Sequence, residues 1–114
     1  MGPSISVRED HLFTVRTERD GGSLLVRASG EIDFANAEML ERELVRASGC
    51  DASVIVLDLG DVDFIDTTAL QALVSGAERF REDGNRLSMW LGSSAAVHRL
   101  VELCGVEGEL PLTG

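Results

Sequence analysis

Residues 53–80 run SVIVLDLGDVDFIDTTALQALVSGAERF. Ser53 to Leu59 contains four consecutive apolar residues, Val54, Ile55, Val56 and Leu57, which suggests a central strand covered on both faces by helices. Beyond Ala69 the period changes. Leu70, Leu73, Val74, Ala77 and Phe80 recur at three- and four-residue intervals, the buried stripe of an amphipathic helix. Asp83-Gly84-Asn85 ends it. A buried strand that passes through the segment Gly60 to Asp66 into a helix is half of a parallel crossover, and this sets the fold class.

Toward the C-terminus, Leu87 to Leu91 reads as a second short apolar strand. Gly92-Ser93-Ser94 precedes a helix with Val97, Leu100, Val101 and Cys104 on one face, closed by Gly105 with apolar Val106 after it. Leu110-Pro111-Leu112 is a candidate edge strand. Toward the N-terminus, Phe13, Val15 and Thr17 alternate with Thr14, Arg16 and Glu18, and Asp20-Gly21-Gly22 turns the chain into Leu24 to Ala28, forming a hairpin. After Gly30 to Phe34, Asn36 is the expected N-cap of a helix that buries Ala37, Leu40, Leu44 and Ala47 and stops at Gly49. Glu38, Glu41, Arg42 and Arg46 occupy its opposite face.

Met1 to His11 shows no periodicity and is expected to be a loose lead-in to a domain spanning residues 12–114. The whole reads as one α/β domain: a mixed β-sheet with an opening hairpin and helices packed against it. Each later strand–helix–strand step calls for a right-handed crossover. Three strand-to-helix loops, at 31–36, 60–68 and 92–94, then gather at the carboxyl ends of the strands, where such sheets meet their ligands.

The chain has 114 residues and a formal net charge of −10, and all ten of its basic residues are arginine. An acidic excess is the wrong sign for binding phosphate backbones or anionic membrane surfaces, so neither nucleic acid nor membrane is expected as a partner. Absence of lysine removes P-loop, Schiff-base and receiver-domain chemistry. Cys50 and Cys104 are too few and too far apart for a disulfide framework, and Met1 to Arg16 has no signal-peptide core. The expected location is the cytoplasm.

Catalytic patterns are nearly absent. Cys50, Cys104, His11 and His98 show no zinc-ligand spacing, and Asp61 and Asp63 read as solvated loop acids. Neither an enzyme activity nor a cofactor is expected. Gly92-Ser93-Ser94 could hold an anion at a helix start, although serine there also serves simply as a cap. Asp66-Thr67-Thr68 places three polar residues in a row between apolar pairs. A capping cluster explains part of it, with Asp66 or Thr68 as the cap and Thr68-x-x-Gln71 at capping-box spacing. A hydroxyl at a helix's first turn is also a favourable place for a phosphate, because dipole and backbone N–H groups stabilise its charge of about −1.5 to −2.

Taken in order, Gly30 to Asp33, Val54 to Leu59, Asp63 to Leu70, and Ser94 to Leu100 followed by Gly105 resemble a STAS domain, and more narrowly the free-standing bacterial anti-sigma-factor antagonists. The resemblance runs from about Phe13 to Val106. It implies a binding module that, unphosphorylated, engages an anti-sigma factor acting as a serine/threonine protein kinase and so frees a sigma factor. Phosphorylation on the hydroxyl after the motif aspartate ends the interaction, and a phosphatase restores it. On this chain the implied phosphoacceptor is Thr67, with Asp33, Phe34, Asn36, Asp66, Thr67, Thr68, Gly92 and Ser94 forming the partner surface.

The usual Asp-Ser-Ser-Gly motif is replaced by Asp66-Thr67-Thr68-Ala69. Threonine's β-branch restricts its rotamer, and Ala69 favours the helix by up to about 1 kcal/mol while placing a methyl where a partner would approach. The alternative reading is a ligand-sensing or transporter-accessory STAS domain that binds a nucleotide or anion without phosphorylation.

Overall fold

The computed structural model describes residues 5–9, 12–82, 84 and 86–113. Five strands lie side by side in chain order: β1 (Ile5–Glu9), β2 (Phe13–Asp20), β3 (Ser23–Ile32), β4 (Val54–Ile65) and β5 (Leu87–Trp90). The pairs β1/β2 and β2/β3 are antiparallel, whereas β3/β4 and β4/β5 are parallel. The expected mixed sheet with an opening hairpin is therefore present. The lead-in expectation is corrected for Ile5 to Glu9, which pairs with β2 from Ile5 opposite Glu18 to Glu9 opposite Thr14. Ile5-Ser6-Val7-Arg8 does alternate, but over too few residues to stand out from the polar run around it; the remaining lead-in residues lie outside the described ones.

The β2–β3 hairpin closes through Gly21 and Gly22 between paired Asp20 and Ser23. Gly21 has φ 60°, as the first central position of a two-residue type II′ turn requires. Three helices follow: α1 (Ala37–Ser48), α2 (Thr67–Glu82) and α3 (Ala95–Cys104), then a 3-10 turn at Glu107–Glu109. From β3 through β5 to the lone parallel bridge Met89–Leu112, each crossover moves the same way across the sheet. Right-handed crossovers then place their helices on one face.

Burial follows. Phe13 and Val15 of β2, Val26 and Ala28 of β3, Ile55, Leu57 and Leu59 of β4, and Met89 of β5 are buried with Leu40, Leu44, Leu73 and Phe80 of the helices. Among the described residues, no helix covers the opposite side of the sheet. Val54 is 43% exposed and Val56 only partly buried, which corrects the expectation of a strand covered on both faces. The strand also runs six residues further than Leu59, with register shifts against β3 between Arg27 and Ser29 and between Gly30 and Glu31.

The helix stripes agree with their periodicity except at three points. Val74 on α2 and Leu100 on α3 are only partly buried, and Cys104, expected on the inner face of α3, is exposed. Leu110 to Leu112 contributes one bridge rather than a strand. Gly105 caps α3 with φ 65°, and Val106 N–H returns to the Val101 carbonyl at 3.3 Å. Among the described residues, no helix is long and apolar enough to cross a membrane.

Candidate functional site: the loops around Thr67

The end of β3 and the start of α2 are joined by one carboxylate. Asp66 precedes α2, and its Oδ1 accepts the Ala69 N–H at 2.8 Å, the N-cap bond to the third helical residue. Its Oδ2 accepts the Phe34 N–H at 2.9 Å from the β3–α1 loop. Asp66 N–H itself donates to the Ile32 carbonyl at 3.1 Å. The cap is thus Asp66 rather than Thr68, and Thr67 and Thr68, the first two helical residues, are exposed.

The loop opposite holds its own shape. Asp33 Oδ1 accepts the N–H groups of Ala35 (2.9 Å) and Asn36 (3.2 Å). Asn36 is buried; its Oδ1 accepts Asp33 N–H at 3.0 Å and its Nδ2 donates to the Glu31 carbonyl at 2.8 Å. Asn36 does stand at the N-cap position of α1, but its side chain makes no cap bond. Its side chain braces the turn from inside the protein. With both ends tied, Phe34 projects from the tip and is 75% exposed.

Gly30 makes this arrangement possible. Its φ is 93°, and a Cβ there would sit 2.1 Å from the Leu12 carbonyl oxygen, which accepts Glu31 N–H at 2.9 Å. No side chain fits between the two strands at that point.

Gly92 and Ser94 lie in the loop that leads from β5 into α3. Ser94 is 4% exposed; its Oγ donates to the Val62 carbonyl at 2.6 Å and accepts Val97 N–H at 3.2 Å. It caps α3 and ties that helix to β4, so its hydroxyl is spent inside the protein. The Gly92 carbonyl accepts from Nε2 of exposed His98 at 3.0 Å. Thr67, by contrast, borders a groove of about 380 Å³ between α2 and the end of α3, lined also by Gln71, Val74, Glu78, Cys104 and Val106.

Sequence reasoning missed Phe64. It pairs in register with Glu31, two residues before Asp66, and is 47% exposed. The signal was present in the irregular run Val62-Asp63-Phe64-Ile65, where only Val62 and Ile65 are buried. Asp61 and Asp63 are both exposed. Among the described residues, no three His, Cys, Asp or Glu side chains are grouped to hold a metal. His11 lies outside the described residues.

A parallel-stepped sheet with one helical layer and a capped threonine pair at the β4–α2 junction defines a class. The family model of the STAS domain matches residues 14–113, and this chain belongs to the STAS domain family. It is 32% identical over 99 residues to a Mycobacterium tuberculosis protein provisionally named an anti-anti-sigma factor; the match covers 84% of this chain and 66% of that one, just under two thirds of its length. It is 25% identical over 101 residues to the anti-sigma F factor antagonist of Paenibacillus polymyxa, covering 86% of this chain and 84% of the relative. Among solved structures, an anti-sigma factor antagonist from Mycobacterium paratuberculosis superposes with a TM-score of 0.76 at 26% identity, over 88% of this chain and 84% of that one. At this moderate identity the chain groups with the anti-sigma factor antagonists, which are regulators and not enzymes.

Proposed function

We propose that this protein is an anti-sigma-factor antagonist that docks through the Asp33 to Asn36 loop and the first turn of α2, and that phosphorylation of Thr67 switches it off. Unmodified, it binds an anti-sigma factor that is itself a serine/threonine protein kinase, and a sigma factor is released in the cytoplasm. A phosphatase returns the phosphorylated form to the active pool.

One observation carries this reading: Asp66 ties the two loops together and leaves the Thr67 side chain exposed beside exposed Phe34. A phosphate on the first residue of α2 meets the favourable end of the helix dipole, so the fold tolerates it. Inside an interface, the same group adds bulk and an unpaired, desolvated charge that outweighs several kcal/mol of contact energy. The net charge of −10 suits a partner with a basic patch, with encounter speeded in a salt-dependent way.

The test is to incubate the protein with a candidate anti-sigma kinase and ATP, map phosphate by mass spectrometry, and compare binding of the wild type and Thr67→Glu. One phosphate on Thr67 and at least a tenfold loss of affinity in Thr67→Glu are expected. Full binding by Thr67→Glu, with Thr67 unmodified, rejects the switch.

A further inference from the structure

The sheet face turned away from the helices has an order of its own. Val7, Arg16, Arg27, Asp58 and Trp90 lie opposite one another in a single row across all five strands. Glu18, Leu25, Val56 and Ser88 form the next row. Their chain neighbours Val15, Val26, Leu57 and Met89 point into the core, so alternation turns these residues to the other face, where Asp58 is itself only 7% exposed and also accepts the Gly60 N–H at 2.8 Å. Val7 and Trp90 are 47% and 45% exposed. Trp90 is the chain's sole tryptophan, and its ring lies over Gly60 and Gly92, where an added Cβ would meet it at 3.5 and 3.3 Å.

The charges within these two rows cancel, while the flanking rows of the face carry exposed Asp20 and Asp61. Arg16 Nε pairs with Glu18 Oε1 at 2.7 Å, and Arg27 Nε with Asp58 Oδ2 at 3.1 Å. In a chain of net charge −10, two copies repel over most of their surface, but these two rows carry no net charge, so repulsion is least at their centre. Their layout is also self-complementary. A two-fold axis running along the sheet between β3 and β4 sets Leu25 opposite the second copy's Val56 and Arg27 opposite its Asp58. It sets Arg16 over its Trp90 ring, a cation–π geometry.

We propose that this open face binds a second copy of the chain in an isologous, sheet-to-sheet dimer centred on Leu25 and Val56. Four paired strands about 4.8 Å apart and about five residues long give roughly 300–400 Å² per copy. Stable complexes bury about 800 Å² per partner, so this dimer is weak and concentration-dependent. Thr67 lies in the helical layer on the other side, which leaves each copy free to dock a partner. The dimer does not depend on the proposed switch.

The test uses the full chain without labels. Sedimentation velocity from about 1 µM to 1 mM should show the 12.2 kDa species giving way to one of twice that mass. Trp90 emission should shift to the blue along the same curve. Arg16→Glu, on an exposed side chain, and Val56→Glu should each move the midpoint at least tenfold upward; circular dichroism confirms that both remain folded. A monomer at every concentration overturns the proposal, as does a dimer with unmoved Trp90 emission or one that ignores Arg16→Glu.

Discussion

Asp66 and Phe34 stand 32 residues apart in the chain and are joined by a 2.9 Å hydrogen bond from the Phe34 N–H to Asp66 Oδ2. Because Oδ1 of the same carboxylate caps α2, one side chain fixes the helix start and the loop facing it. Losing an N-cap costs about 1 kcal/mol, and a hydrogen bond to a charged group is worth about 1.5–3 kcal/mol when well shielded. Asp66 is only partly buried, so Asp66→Ala should destabilise by about 2 kcal/mol in urea titration, with Asp66→Asn recovering roughly half. Amide exchange at Phe34 should accelerate in both variants, more in the alanine.

Phe34 separates stability from binding. Its ring is largely in solvent, and exposed side chains away from special features change stability by no more than about 0.5 kcal/mol. As an aromatic anchor at the tip of the docking loop, it should nonetheless carry much of the partner affinity. Phe34→Ala is expected to unfold at the wild-type midpoint and to bind the anti-sigma partner at least tenfold more weakly by calorimetry. Phe64→Ala, at the neighbouring strand end, should show a smaller loss of the same kind.

Acid sensitivity has one identifiable source at the far end of the sheet. The Arg19 guanidinium holds the Asp51 carboxyl below its ordinary value of 3.8, first by hydrogen bonding and then by charge attraction. A folded-state value below the unfolded one stabilises the fold above the unfolded value. That contribution disappears as pH falls through the folded value. Asp51→Asn should therefore have a shallower loss of melting temperature below about pH 4, and the difference should fade in 1 M salt because the pair is exposed to solvent.

Much of this architecture is legible in the sequence because the deciding signals are local. The period-2 run at Phe13 to Thr17, the 3.6-period stripe from Leu70 to Phe80 and the caps Ser94 and Gly105 each need only a few neighbouring residues, and each appears where expected. Long-range facts are not written that way. Four apolar residues at Val54 to Leu57 look the same whether a sheet has helices on one face or two, and it is the direction of successive crossovers that leaves Val54 outside. The strand at Ile5 to Glu9 draws its order from pairing with β2. At the site, Asp66 and Thr67 were visible as a motif, but whether Asn36 and Ser94 face a partner or the interior depends on the Glu31 and Val62 carbonyls they bond.

Ala69 gives the sharpest contrast with what its motif position suggests. The residue stands at the glycine position of the Asp-Ser-Ser-Gly motif that this stretch resembles, where a methyl is expected to face an approaching partner. In the structure it is 0% exposed, on the buried face of α2's first turn, while its N–H is held by Asp66. The methyl is therefore a core group. Replacing it with glycine removes about 0.8 kcal/mol of apolar burial and adds about 1 kcal/mol of backbone entropy in the first turn of the helix. Ala69→Gly should lower stability by about 1.5–2 kcal/mol in chemical denaturation. Because no surface atom changes, anti-sigma binding at 10 °C, where the variant remains folded, should stay within twofold of wild type. A gain of tenfold or more in affinity would mean that the methyl does obstruct the partner and that Thr67 sits in a more open interface than this packing allows.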